Sequence, residues 1–286
     1  MIHDVTNYWD LVVPTYIENW PEGLSNLSVS HVSLPLGMPR AFLLIFGCIM
    51  DGKEIAPLHQ SYLVAMEAKL DNAIQAFPHG CFIRLGSRSP KDSWLGIDKG
   101  FKCTTGHHAL SLLLDSPDRI YDDVALAVAH DYQPQIYLRK WVDIPEWSEF
   151  RCFMHKGKLV GISQYSYLNR ERFPEVCDNS GSISWAIEKF FEGYLRPILY
   201  PHFESVVFDV FVKVRGHGNA REWQVKLLEI NPWFQGTDPC LFSWEHPEDF
   251  NGSFRFCIEP TPAKPDPDEY LEDLKAELRT DREATP

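Results

Sequence analysis

A single carboxylate set into an otherwise apolar strand constrains this sequence more than any other feature. In the stretch 205–214, Val206, Phe208, Val210 and Val212 share one face under a period of two. Asp209 stands between Val207 and Phe211 on the other. Burying a carboxylate there without a partner costs several kcal/mol, so the fold must give it an ion pair or a ligand. The return strand, 222–230, follows the Gly216-His217-Gly218-Asn219 turn and makes a hairpin. Glu229 and Asn231 at its end are two residues apart, so alternation puts both side chains on one face. Three oxygen donors from adjacent strands suit Mg²⁺, which takes carboxylates together with nucleotide phosphates. A second reading stays open, in which Asp209 pairs with Lys226 or Lys213 and Glu229-Ile230-Asn231-Pro232 only ends a strand.

A cationic set upstream favours the ligand. Arg84 ends a short strand, 81–85, and Arg88 and Lys91 follow in the polar loop Gly86-Ser87-Arg88-Ser89-Pro90-Lys91-Asp92-Ser93. Arginine holds phosphate oxygens through a planar fork and lysine as a point charge. A solvated basic loop would read the same way. No G-x-x-x-x-G-K-[ST] and no G-x-G-x-x-G occurs, so neither a P-loop nor a Rossmann turn is encoded. The third element is Leu138-Arg139-Lys140-Trp141-Val142, followed by Glu149-Phe150-Arg151-Cys152-Phe153. Its extended backbone can read an adenine edge while Arg151 points into the same cleft; as a lone tryptophan, Trp141 reads more readily as core.

Around these elements the sequence predicts a mixed α+β chain rather than a βαβ alternation. The first forty residues show no long period and read as a loosely ordered opening segment, followed by a strand over 40–48. Residues 60–77 place Leu63, Met66, Leu70, Ala73, Ile74 and Phe77 at helical spacing. Two further helical stretches fall at 107–114 and 122–130, and a strand with period two at 135–144. A hairpin follows, with strands 149–154 and 159–165 around His155-Lys156-Gly157-Lys158. A second amphipathic helix, 184–200, carries Ile187, Phe190, Phe191, Tyr194, Leu195 and Ile198 on its apolar side, with Pro197 bending its last turn. The resulting partition is 1–80, an N-terminal segment with the first subdomain's opening elements; 81–134, the phosphate-loop part; 135–260, the C-terminal subdomain; and 261–286, an acidic tail in which Leu271, Leu274 and Leu278 suit a peripheral helix.

The 286 residues carry a formal charge of -13, which argues against a surface built to track nucleic acid. No run reaches the roughly 18 apolar residues of a membrane span, and the N-terminus lacks a signal peptide's pattern. We expect a soluble, cytoplasmic protein without membrane partners. The seven cysteines have no C-x-x-C spacing and read as reduced core residues.

The segments Ser89-Pro90-Lys91-Asp92, Leu138-Arg139-Lys140-Trp141, Glu149-Phe150-Arg151-Cys152-Phe153, Gly161-Ile162-Ser163-Gln164, Phe208-Asp209-Val210 and Ile230-Asn231-Pro232-Trp233, with Thr237-Asp238 and Leu241-Phe242-Ser243-Trp244 after them, resemble the cell division cycle protein 123 family. That family is a divergent branch of the ATP-grasp fold. The resemblance implies two α+β subdomains with antiparallel sheets enclosing a nucleotide cleft, and ATP and Mg²⁺ as ligands. Carried over by position, Asp209, Glu229 and Asn231 are the expected metal ligands. Lys140, Trp141 and Val142 border adenine, Arg84, Lys91 and Arg151 contact phosphates, and Arg139 belongs to the same nucleotide-binding set. Glu229 stands where eukaryotic members commonly have Asp, and Arg84 where Lys is frequent. The portion before Gly80 matches poorly.

Three functions follow from such a site. The expectation leans to an ATP-grasp ligase, in which ATP phosphorylates a carboxylate and a nucleophile displaces the phosphate, acting on an unknown acceptor or peptide substrate. The alternative is an assembly chaperone like the eukaryotic members, which help build translation initiation factor 2 by binding its gamma subunit. A further alternative is nucleotidyl transfer to RNA ends, which the acidic composition does not favour.

Overall fold

The apolar run after Met38, expected as a strand over 40–48, is a helix. Pro39 sits in its first turn, where its fixed φ suits a helix start. Ala41, Phe42, Ile45 and Phe46 are buried, the i, i+1, i+4, i+5 spacing of a helix that lays one stripe on a core. A continuous apolar run does not distinguish the two states by periodicity, which is why the tertiary packing decides it.

The structure, a computed structural model, describes residues 8–168, 172–216 and 222–259. The acidic tail with Leu271, Leu274 and Leu278, and His217, Gly218 and Asn219 of the expected turn, lie outside the described residues. In chain order the elements are α1 (Tyr8–Val12), β1 (His31–Pro35), α2 (Pro39–Met50), α3 (Pro57–Ile74), β2 (Cys81–Leu85), α4 (Trp94–Lys99), β3 (Lys102–Cys103), α5 (Gly106–Leu114), α6 (Asp122–Ala129), β4 (Gln135–Lys140), β5 (Glu149–His155), β6 (Lys158–Gln164), α7 (Pro174–Phe190), α8 (Arg196–Leu199), β7 (Ser205–Arg215), β8 (Glu222–Pro232) and β9 (Ser253–Arg255). None of the described helices is long and apolar enough to cross a membrane.

The opening segment is ordered where the sequence predicts a loose entry: α1, three 3-10 turns and β1. Tertiary pairing supplies what local periodicity does not show. β1 runs antiparallel to β4, His31 opposite Arg139, and Ser28 donates to the Leu227 carbonyl at 2.9 Å. The first sheet has the order β1-β4-β2-β3 and the second β8-β7-β5-β6-β9. β4, grouped from sequence with the C-terminal portion, therefore belongs to the first sheet, and the seam between the sheets falls after Lys140.

One core lies between the first sheet and α2, α3 and α5, around Phe42, Met66, Leu70, Ile83, Leu112 and Leu138. Where α5 meets α3 there is room only for a glycine. A Cβ on Gly106 would lie 2.3 Å from the Glu67 carbonyl oxygen and 2.9 Å from the Asp71 amide nitrogen, both backbone atoms. Gly106→Ala is expected to lower stability by about 1–3 kcal/mol in urea denaturation, by forcing the two helices apart.

The second core lies between α7 and the face of the second sheet that carries Phe150, Cys152, Met154, Val206, Phe208, Val210 and Val212. These are the alternating positions of the two hairpins. α7 starts at Pro174, ten residues before the expected helix, because Val176 and Ile183 reach this core through a stretch of weak helix formers kinked at Asn179. A π turn, Phe191–Leu195, then carries the chain to α8. It leaves Tyr194, expected on the apolar side, exposed.

Candidate functional site

The opposite face of the second sheet carries the polar residues, and it meets the first sheet across a cleft. On β5, Glu149 and Arg151 point to this face; on β7, Asp209 lies directly opposite Arg151, and on β8 Glu229 lies opposite Asp209. A bulge sets Glu229 there. Asp209 pairs with Glu229 but the next residue, Val210, pairs with Leu227, leaving Leu228 extra. The bulge lets Leu227 and Ile230 both face the core while Glu229 faces the cleft.

Asp209 has no exposed surface. Its partner is neither Lys226 nor Lys213 but Arg151, which donates through Nε and Nη2 to the two carboxylate oxygens, each at 2.8 Å. The third donor of Arg151, Nη1, reaches the Asp238 carbonyl at 2.8 Å. Burial, then the Glu229 charge, push the Asp209 carboxyl up, against the pull of Arg151. The Asn231 amide nitrogen lies 3.3 Å from Asp209 Oδ2, so the three residues expected to act together are adjacent.

Glu229 is held across the seam by Arg84 at 2.6 Å, a bond between β2 of one sheet and β8 of the other. Burial works to raise its carboxyl, yet Arg84 and then Lys91 hold it well below the usual carboxylate range. Arg139 makes a second strut, donating to the Leu228 carbonyl freed by the bulge at 2.9 Å and to Ser28 Oγ at 2.7 Å. Lys91 Nζ lies 3.3 Å from the Tyr165 hydroxyl, and the Arg151 guanidinium lies 5.0 Å from the same ring's centre.

These struts bound a cleft of ≈ 470 Å³. Phe82, Phe101, Trp141, Val142 and Ile144 make its apolar wall; Arg84, Lys91, Arg139, Lys140, Glu149 and Glu229 make its polar side. The backbone amides of Lys140 and Trp141 already donate, to the Ser30 and Gly80 carbonyls at 2.8 and 3.1 Å. Glu229 also lines a second chamber of ≈ 360 Å³, with Arg88, Arg119, Arg151, Asn231 and Asp238. Among the described residues no three His, Cys, Asp or Glu side chains gather as a metal site; the set at the seam is two carboxylates and an amide.

Sequence reasoning placed the ten expected residues around one seam but missed others. Glu149 was legible, since alternation puts it on the Arg151 face. Its carboxyl is pushed up to about 7 by burial, eased by Lys91 and reinforced by Asp209 and Glu229. Tyr165, Arg119 and Asp123 carry no local signal, because only the tertiary fold brings them to the site.

Residues 51–280 match the family described as D123. The translation initiation factor eIF2 assembly protein of Xenopus laevis is 29% identical over 212 residues, covering 68% of this chain and 57% of that protein. The protein of the same name from Schizosaccharomyces pombe is 27% identical over 216 residues, 70% of this chain and 62% of its own length. Cell division cycle protein 123 of Phaeosphaeria nodorum is 32% identical over 172 residues, 56% and 42% of the two chains. The chain thus spans a little over half the length of the Xenopus laevis relative. The solved structure of Cdc123 from Schizosaccharomyces pombe superposes with a TM-score of 0.65 at 20% identity, over 88% of this chain and 95% of that one. A C-terminally truncated form of it gives 0.66.

The Xenopus laevis and Schizosaccharomyces pombe relatives are named for assembling an initiation factor, and that overturns the expectation of an ATP-grasp ligase. The preference for ligation rested on the poorly matching N-terminal portion, and a poor match there is not evidence for a reaction. With the D123 match over most of its length, and an α+β ATP-grasp-like fold shared with Cdc123, the chain belongs to the cell division cycle protein 123 family.

Proposed function

We propose that this protein is an ATP-binding assembly chaperone for a translation initiation factor, with Mg²⁺ at the nucleotide's phosphates. The observation that carries the reading is the Arg84–Glu229 contact at 2.6 Å, which sits where an apolar-walled cleft meets a polar chamber at the seam of two sheets. Adenine suits the Trp141–Val142 wall, and Lys91 and Lys140 offer charge to the phosphates. The cation's donors would be Glu229 and Asn231 with Asp209 beneath them, an oxygen set that suits a hard divalent ion. Asn231 offers its amide nitrogen to Asp209, which leaves its amide oxygen for the cation. A divalent cation held by these residues would supply positive charge against the phosphates.

A ligand at this seam touches both sheets, so its binding energy stabilises their docked arrangement. The gain is about 2.7 kcal/mol when free ATP is one hundred times its dissociation constant. ATP then acts as a structural or switching ligand that presents a defined surface to the partner. The names of the relatives, all eIF2 assembly proteins or cell division cycle protein 123, support the partner class.

Isothermal titration with ATP and Mg²⁺ tests the ligand half of this reading. Wild-type protein is expected to bind ATP in a Mg²⁺-dependent way, and Asn231→Ala or Glu229→Gln to weaken it about tenfold or more by removing a ligand or its charge. Wild-type affinity in both variants would remove the cation assignment. For the partner half, reconstitution of an eIF2-type factor from its subunits should be promoted by the wild type with ATP. Equal assembly with and without the protein would end the chaperone reading.

A further inference from the structure

Three arginines at the seam are already committed inside the protein. Arg84 holds Glu229, Arg151 holds both oxygens of Asp209, and Arg139 donates to the Leu228 carbonyl and Ser28 Oγ. The first two are neutral pairs, and a triphosphate brings negative charge that they do not offset. Lys91 and Lys140 in the cleft supply part of the positive charge that a triphosphate calls for, and the rest has to come from elsewhere.

The polar chamber provides it. Arg119 donates through Nε to the Ser89 carbonyl at 2.7 Å, and its guanidinium forms no salt bridge among the described residues. Burial pushes the Asp123 carboxyl up, and Arg119 opposes that only at longer range, after Arg88. Arg88 stands beside it with 38% of its side chain exposed. It meets Asp123 at 3.5 Å through Nε and donates to the Tyr8 hydroxyl at 3.2 Å. Both arginines line the chamber, and Glu229 is the residue that the chamber and the apolar-walled cleft share.

We propose that this chamber seats the nucleotide's terminal phosphates, held by the guanidinium groups of Arg119 and Arg88, while the adenosine end lies against Trp141 and Val142 in the neighbouring cleft. The inference rests on the reading of the protein as ATP-binding and adds where the phosphate chain runs. Planar guanidinium forks match phosphate oxygens and keep their charge at every physiological pH. The polyphosphate would pass Glu229 and Asn231, two of the side chains that would hold a divalent cation. Neither arginine is in the motifs that carry the family resemblance, and the chamber's Tyr8 and Tyr16 precede the matched residues 51–280.

Titration of ATP, ADP and AMP, each with Mg²⁺, against wild type, Arg119→Met and Arg119→Lys tests this. Methionine keeps most of the apolar stem and removes the charge. In Arg119→Met, ATP affinity is expected to fall about tenfold or more, ADP affinity to fall less, and AMP affinity to stay as in wild type. Arg119→Lys should fall between the two for ATP. Unchanged AMP binding in the same variant shows that the cleft is intact. Unchanged ATP affinity in Arg119→Met, or ATP and AMP affinities falling together, would overturn the assignment. If wild type binds ATP and the variants bind it equally, this inference alone fails; if wild type binds no adenine nucleotide, the ATP reading fails with it.

Discussion

Arg151→Met is expected to lower the unfolding free energy by about 3–5 kcal/mol, the usual cost of stripping one partner from a buried ion pair. The reason is the position of Asp209. Its carboxylate has no exposed surface, and both oxygens accept from Arg151 at 2.8 Å. With Arg151 gone, the neighbouring Asn231 amide at 3.3 Å is a weak substitute, and Glu229 opposite adds a like charge. The companion change should behave differently. In Arg151→Met/Asp209→Leu both charges are removed together, and apolar pairs in such places are often neutral or better, so most of the lost stability should return. Urea denaturation of the wild type, the single and the double variants measures this. A double variant no more stable than Arg151→Met would show that the pair's charges are not what the site depends on. By the same geometry Asp209→Ala strands Arg151, whose side chain is only 7% exposed, and so destabilises the fold. Asn231→Ala, which leaves the ion pair in place, is the cleaner probe of the cation.

The second large effect is a pH dependence. Glu149 is pushed up from 4.5 to about 7, by burial first, with Lys91 opposing and Asp209 and Glu229 adding. Its folded value lies above its unfolded value, so between the two the folded chain keeps a proton that the unfolded chain has released. Stability from this group is therefore fully present below about 4.5 and is lost as pH rises through about 7. A difference of this size corresponds to a few kcal/mol, and partial solvent contact brings the expected effect to about 1–3 kcal/mol. Glu149→Gln should flatten that part of the profile. The stability difference in favour of the variant should grow from about pH 5 to about pH 8 in thermal or urea unfolding. A wild type that gains on the variant over that range would mean that Lys91 outweighs burial, and Glu149 would then be an ordinary ion-pair partner.

Much of the site was legible because its residues obey local rules. A lone carboxylate among Val207 and Phe211 demands a partner, and two polar residues at spacing two must share a face. Alternation in 149–154 likewise put Arg151 on the face opposite Phe150 and Cys152. What escaped was of two kinds. The helix Pro39–Met50 was hidden because an unbroken apolar run has no period to read, and the Phe42 and Ile45 stripe became visible only against its core. Arg119, Asp123 and Tyr165 were hidden because each is unremarkable in its own neighbourhood and becomes part of a site only through contacts between distant segments.

The sequence by itself determined the hairpins of the second sheet, their inward and outward faces, and the presence of an acidic and amide set facing a group of cations, because these depend on the two-residue repeat of a strand. Only the tertiary structure decided how charge is matched within that set. The β8 bulge at Leu228 turns Glu229 toward Arg84 on the other sheet and frees a carbonyl for Arg139, while Asp209 takes Arg151 instead of a lysine. Strand periodicity carries no information about bulges or about partners on another strand. Ion pairing follows from distance and burial, which exist only once the two sheets have met.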